Sequence, residues 1–459
     1  LAAGLVGCAP QVEILNKPLL AGQQNPIAKP FAWEADRPFV MLAFSGGGSR
    51  ASAMAYDILL ELDAIPDGTG RTLLDDVAVI SSASGGSVPA AYFGLYGKAG
   101  LPDFYNKFLV PDNMWAIESQ LLNPVVDAKL TLGAMGRVDA ARALFDDELF
   151  DHRTYADLQE RGPPIILLNA TDMASGEVFA FGPSRFDDLC SNLSVLPIST
   201  AVAASSAFPI LLSPITLQDF SGASCPFQGR PSFAAFVQHH QNAQFINFDQ
   251  YEEALYENDL QHGPDARTDI RYVHLLDGGL ADNLGVTTLG RVITDPDKDA
   301  QFLYLFNTAP PKRFVVISVR ARSFVESPLY RQQAAPGEVS MIGAVTGIPL
   351  DANTGSLDDK FADMLGDLRQ ALQNVTPAGQ TPPQISYIDI DPDQLPAPQA
   401  ELRNAVEAIP TGWTVTCEQR LTIQQTVHDL LVINPQYQAL LAALKTQARP
   451  INAITCPAS

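Results

Sequence analysis

Val77-Ala78-Val79-Ile80-Ser81-Ser82-Ala83-Ser84-Gly85-Gly86 decides how this chain is read. Its apolar, mostly β-branched start predicts a strand, and the small residues that follow predict a sharp turn into a helix through Ala90-Ala91-Tyr92-Phe93. Such a strand end presents the hydroxyl of Ser84 as a nucleophile. Upstream, Phe39-Val40-Met41-Leu42-Ala43-Phe44 runs into Ser45-Gly46-Gly47-Gly48-Ser49-Arg50, after which Met54, Ile58 and Leu62 share one helical face. Downstream, Leu275-Leu276 runs into Asp277-Gly278-Gly279. Three strand ends with different chemistry predict one site.

Short continuous apolar runs near residues 164–168 and 314–319 read as strands covered on both faces. Their alternation with helices predicts an α/β sandwich around a mostly parallel sheet. Hydrophobic residues make up 46% of the 459, which supports a large core. Residues 1–37 read as an N-terminal segment and tether, and residues 38–325 as the main domain, interrupted by an insertion at about 216–272. Residues 326–459 read as a mostly helical extension packed on that domain. In it, Ser356 is expected to cap a helix whose apolar face carries Phe361, Met364, Leu365, Leu368 and Leu372. Asn434-Pro435 is a helix start, following a helix through Ile423, Val427 and Leu430.

The formal net charge of −22 repels polyphosphates and argues against a nucleic-acid partner. Its acidic residues form no long block and read as solvated surface. Leu5-Val6-Gly7-Cys8 resembles the bacterial lipobox, in which the Cys sulfur carries diacylglycerol. That reading makes the protein a lipid-anchored lipoprotein of the bacterial cell envelope, facing the periplasm or on the outer membrane, held by acyl chains at Cys8. Cys190, Cys225, Cys417 and Cys456 remain, an even number that favours two disulfides in an exported chain. Three connectivities are open, and the local pairs Cys190–Cys225 and Cys417–Cys456 are the expected ones. No spacing of Cys and His suggests a metal, and no cofactor is implied.

A serine hydroxyl needs a base to take its proton as it attacks. Of the histidines, His274 alone stands near one of these strand ends, and its odd separation from Asp277 puts the two on opposite faces of a strand. Asp277 is followed directly by two glycines, which allow a sharp turn and a close approach by another segment. A carboxylate in a low-dielectric pocket acquires a raised pKa and serves as a general base. Gly46-Gly47-Gly48 supplies backbone N–H groups at a helix N-terminus, a nest for an anion. That anion is either a phosphate or the oxyanion of an acyl transfer. The Gly-Lys-Ser/Thr of a P-loop and the GxGxxG of a dinucleotide loop are both missing, which favours the oxyanion.

Together these residues resemble the patatin-like phospholipases, a family with a Ser-Asp dyad. Gly46-Gly47-Gly48-Ser49-Arg50 matches the family's oxyanion motif, Ser84-Gly85-Gly86 its nucleophile elbow, and Asp277-Gly278-Gly279 its base motif. Asn169-Ala170-Thr171-Asp172 and Ala203-Ala204-Ser205-Ser206-Ala207-Phe208-Pro209 agree in order. The likeness covers about residues 39–320. Ser82 stands where the elbow's first glycine is usual, which leaves Ser81, Ser82 and Ser87 as neighbours of Ser84.

The resemblance implies a three-layer α/β/α sandwich and hydrolysis of a fatty-acyl ester, of a phospholipid or lysophospholipid. It implies Ser84 as nucleophile, Asp277 as base, Gly46 to Gly48 as oxyanion hole, and Arg50 as a brace for that loop. Met114, Trp115, Phe233 and Phe236 are candidates for an acyl channel, with core packing the expected role of each. Two rival readings stay open. One is an esterase with a Ser-His-Asp triad, for which His428 alone has the right chain order; the other is a lipid-anchored binding protein without catalysis.

Overall fold

A computed structural model describes residues 14–25, 33, 34, 36–116, 137–209, 211–222, 225, 248–263, 266–294, 311–323, 338–376, 378–452, 454 and 456. For residues 248–250, 292–294, 338–354, 371 and 375 the backbone alone is described. Cys8, Phe233, Phe236, His239 and His240 lie outside the described residues.

Among the described residues, one sheet of eight strands organises the chain. In chain order they are β1 (Phe39–Phe44), β2 (Val77–Ala83), β3 (Ile165–Asp172), β4 (Val178–Phe181), β5 (Ile215–Gln218), β6 (Tyr272–Asp277), β7 (Arg313–Val319) and β8 (Gln384–Ile390). The spatial order is β5-β6-β3-β2-β1-β7-β8, with β4 also on β3. From β3 to β8 every pair is parallel, whereas β6 runs antiparallel to both β3 and β5. The reversed β6 matters most, because it brings Asp277 beside Ala170 on the strand next to the Ser84 strand.

Around the sheet lie α1 (Gly48–Asp63), α2 (Ser87–Tyr96), α3 (Ile198–Ser205), α4 (Phe248–Leu260), α5 (Val286–Thr294), α6 (Glu338–Val375), α7 (Cys417–Ile433) and α8 (Pro435–Leu444). Successive side chains of a strand point to opposite faces, and β1 divides accordingly. Val40, Leu42 and Phe44 pack with residues of α1, α2, α3, α7 and α8. Phe39, Met41 and Ala43 pack instead with Val286 and Leu289 of α5 and with Leu357, Phe361, Leu365, Leu368 and Leu372 of α6. Helices on both faces of a mostly parallel sheet make the three-layer α/β/α sandwich, and explain why β1 and β2 are apolar without alternation.

Several local expectations change. Ser356 is not a cap: α6 runs without a break from Glu338 to Val375. A glycine and a serine cost a helix about 1 kcal/mol or less each, too little to end one whose following turns are buried against the sheet. Asn434 does cap, its Oδ1 accepting the amides of Gln436 at 2.9 Å and Tyr437 at 3.1 Å. The stretch set apart as an insertion begins inside the sheet, since β5 pairs with β6. Cys190–Cys225 and Cys417–Cys456 are the two disulfides, with Cα separations of 5.8 and 5.7 Å. Trp115 is not core, for it is 68% exposed. Among the described residues, no helix is long and apolar enough to cross a membrane.

Candidate active site

The turn after β2 puts Ser84 at φ 50, a left-handed backbone that side-chain-bearing residues rarely adopt. Such strain persists only where surrounding contacts over-determine it. Here the next residue supplies one reason: a Cβ on Gly85 would lie 2.1 Å from the carbonyl oxygen of Gly48, so only glycine lets the elbow press on the loop. Ser82, in place of the elbow's usual glycine, is fully buried with its hydroxyl 3.1 Å from that of Ser87. Serine is small enough to fit, and its hydroxyl finds a partner.

From the elbow, Ser84 Oγ donates to Asp277 Oδ2 at 2.7 Å. The other carboxylate oxygen accepts the Gly279 amide at 2.8 Å, a bond the turn through Gly278 makes available. Burial pushes the Asp277 carboxyl up to about 6, against a smaller opposing pull from the Ser84 and Gly279 hydrogen bonds. The carboxylate is thus poised to accept a proton near neutrality. Its backbone is also fixed, with the amide donating to Ala207 and the carbonyl accepting from Thr171 Oγ1 at 2.8 Å.

The glycine loop between β1 and α1 faces this pair. The Gly46 amide is already committed, donating to the Asn283 carbonyl at 2.9 Å. Gly47 is the N-cap of α1 and Gly48 its first residue, so their amides have no partner within the helix. Among the described residues neither has a hydrogen-bond acceptor. Gly48 has φ 60, and a Cβ there would lie 2.2 Å from the Gly412 carbonyl oxygen. That carbonyl accepts the Ser49 amide at 2.7 Å, tying the loop to a segment far along the chain.

Arg50 is buried at 1% exposure and does not reach Ser84 or Asp277 through any hydrogen bond. Its Nε and Nη2 donate to the Ala321 carbonyl at 3.3 and 2.8 Å, and its Nη1 donates to the Ile409 carbonyl. Burial lowers its pKa to about 10, which leaves it cationic at neutral pH. Gly278 lets the turn after β6 press on β3, for a Cβ on it would lie 2.1 Å from the Asn169 carbonyl oxygen.

The described histidines are engaged elsewhere. His428 on α7 has Nδ1 2.9 Å from Glu61 Oε1, and His274 has Nδ1 3.0 Å from Thr216 Oγ1 on the opposite face of β6 from Asp277. His152 bonds Asp146, and His262 lies against the Ile270 carbonyl. Among the described residues, no group of three or more His, Cys, Asp or Glu side chains is placed to hold a metal ion. Sequence reasoning missed Asn283 and Gly412. Both meet the glycine loop mainly through backbone contacts, which leave no mark in residue type.

Residues 42–289, more than half of the chain, match the family model described as patatin-like phospholipase. The chain belongs to the patatin-like phospholipase family. Among solved structures it is similar to human GIVD cytosolic phospholipase A2, at 12% identity and a TM-score of 0.41, over 89% of this chain and 62% of that one. The same human protein in complex with methyl gamma-linolenyl fluorophosphonate matches at 12% identity and a TM-score of 0.41, over 90% of this chain and 60% of that one. The chain thus spans less than two thirds of the length of these proteins. No curated protein matches it.

Proposed function

We propose that this protein is a serine acyl hydrolase of the phospholipase A or lysophospholipase type. The observation that carries the reading is the 2.7 Å hydrogen bond from Ser84 Oγ to a buried Asp277 carboxylate, beside a loop with two uncommitted amides. Asp277 takes the Ser84 proton as Oγ attacks the acyl carbonyl carbon. The tetrahedral oxyanion forms under the amides of Gly47 and Gly48, each worth on the order of 3 kcal/mol to the transition state. Gly46 has a different part: its amide holds Asn283, and its lack of a side chain leaves room for the Asn283 carboxamide.

The protonated Asp277 then gives its proton to the leaving alcohol as the C–O bond breaks, which leaves an acyl-Ser84 ester. Water attacks that ester, Asp277 takes the water's proton and returns it to Ser84 Oγ, and the fatty acid departs. A fluorophosphonate should label the wild-type protein covalently and leave Ser84→Ala unlabelled. Labelling of Ser84→Ala would sink the assignment, and absence of labelling in the wild type would favour a binding protein. Activity that survives Asp277→Asn yet vanishes in His428→Ala would favour the triad.

The substrate class follows from the family, whose members act on acyl esters of lipids. Anchoring at a bacterial envelope membrane rests on Leu5-Val6-Gly7-Cys8 alone. Mass spectrometry of the protein from its native membrane should find acyl chains on Cys8; an unmodified Cys8 would refute the anchor.

A further inference from the structure

The motif around Ser205 has no part in the chemistry above, yet it lies under both reacting groups. Ser205 is fully buried at the last residue of α3. Its Oγ accepts the backbone amide of Ser84 at 2.9 Å and donates to the Asn169 carbonyl at 2.5 Å. Ser87 Oγ lies 2.8 Å from the same atom and 3.1 Å from Ser82 Oγ, and touches neither the Ser84 amide nor its hydroxyl. The other half of the residue faces the base. The Ser205 carbonyl accepts the Gly278 amide at 2.9 Å, and the Ala207 carbonyl two residues on accepts the Asp277 amide at 3.0 Å. A helix leaves its last carbonyls without partners inside the helix. The carbonyl of Ser205, the last residue of α3, is spent on the turn that follows Asp277.

We propose that Ser205 is the positioning residue that sets the separation of Ser84 from Asp277, holding the Ser84 amide by its side chain and the turn after Asp277 by its carbonyl on the Gly278 amide. This inference rests on the reading of Ser84 and Asp277 as nucleophile and base. The Ser84 amide lies just past the last β2–β3 pair, Ala83 with Asn169, and the Ser205 hydroxyl stands between that amide and the Asn169 carbonyl. Without that acceptor the Ser84 amide is a buried orphan, and the elbow relaxes toward an ordinary backbone to find another. Relaxation moves Oγ off the carboxylate, and proton transfer is sensitive to such displacements.

The test compares the saturating rate of fluorophosphonate labelling and the melting temperature across four variants of the full chain. Ser205→Ala removes the acceptor. Ser205→Cys nearly keeps the volume but offers a weak acceptor, which guards against an alanine variant that fails to fold. Ser87→Ala removes the neighbouring hydroxyl, which does not touch the Ser84 amide. Both Ser205 variants should label about ten- to hundredfold more slowly at saturation, with the probe's half-saturating concentration little changed. Ser87→Ala should stay within about threefold of wild type while losing a similar few degrees of melting temperature. Wild-type labelling by Ser205→Cys, or equal slowing by Ser87→Ala, would overturn the proposal. Ser84→Ala separates this from the parent reading. If it labels, the nucleophile is misassigned and both fall; if it does not label while the Ser205 variants label normally, Ser205 alone is wrong.

Discussion

Asp277 holds Ser84 with one carboxylate oxygen, at 2.7 Å, and its own turn with the other, through the Gly279 amide at 2.8 Å. Both oxygens are therefore engaged on the folded chain, and among the described residues the group is buried with no cation in contact. Burial is what raises its pKa to about 6, and the two hydrogen bonds oppose that rise without cancelling it.

The pH dependence follows in sign. As the proposed base, Asp277 would work only when ionised, so kcat/KM should be flat above about pH 6 and fall tenfold per unit below it. Hydrolysis of a soluble nitrophenyl ester across pH 4 to 9 measures this. An inflection at the ordinary aspartate value of 3.8 would mean that the carboxylate is solvated and not poised as the structure implies.

The same group should cost stability. A carboxyl whose folded pKa lies above its unfolded one binds more protons in the fold, so stability drops as pH rises from about 4 to about 6, and the cost is complete above that. For a rise from 3.8 to about 6 it amounts to about 3 kcal/mol. Asp277→Asn removes the charge, and its carboxamide can still accept from Gly279 and donate to Ser84 Oγ. The variant should be inactive yet more stable than wild type at pH 8, by up to that amount, with the difference gone near pH 4. Equal urea midpoints at pH 8 would contradict the burial argument.

Arg50 offers a test of the loop. Its guanidinium spans the Ala321 and Ile409 carbonyls, a fork that one ammonium does not reproduce. If the Gly47 and Gly48 amides form the proposed oxyanion hole, Arg50→Ala should lower kcat by about ten- to hundredfold with KM within about threefold, because they lose their fixed aim at a charge present only in the transition state. Arg50→Lys should recover little of it. A change confined to KM would place Arg50 in substrate binding instead.

The parts legible in the sequence are those whose physics is local. β2 and the Ser84 turn show in a run of apolar residues cut off by small ones, and Asp277 stands out by the two glycines after it. The α6 face from Phe361 to Leu372 shows in its period, though not where α6 begins, since Ser356 competes with burial and loses. What stayed hidden depends on distant chain. β8 completes the sheet beside β7, but Gln384–Ile390 carries polar residues at an edge and reads weakly as a strand. Gly412 shapes the glycine loop by its backbone, and nothing in the residues around it marks that contact. Ser205 was visible as part of a motif, while its duty required the backbone of Ser84 to be seen at a positive φ.

An ion pair holds the segment that carries Gly412 and α7 against α1. Arg420 on α7 and Asp57 on α1 form a bidentate pair at 2.8 and 3.0 Å, with side chains 1% and 0% exposed. Two charges taken out of water gain little net stability from each other, but one left alone is costly. Arg420→Met should therefore destabilise the fold by about 3 to 5 kcal/mol, because the Asp57 charge stays buried without its guanidinium. Adding Asp57→Leu should recover most of that loss, which a double-mutant cycle in urea would read as strong coupling. Because α1 begins at the glycine loop, the pair also bears on the site. If the link between α1 and α7 acts only through stability, the double variant regains fluorophosphonate labelling along with its urea midpoint. Recovery of the midpoint without recovery of labelling would show that the ion pair sets the position of α1, and with it the aim of the Gly47 and Gly48 amides.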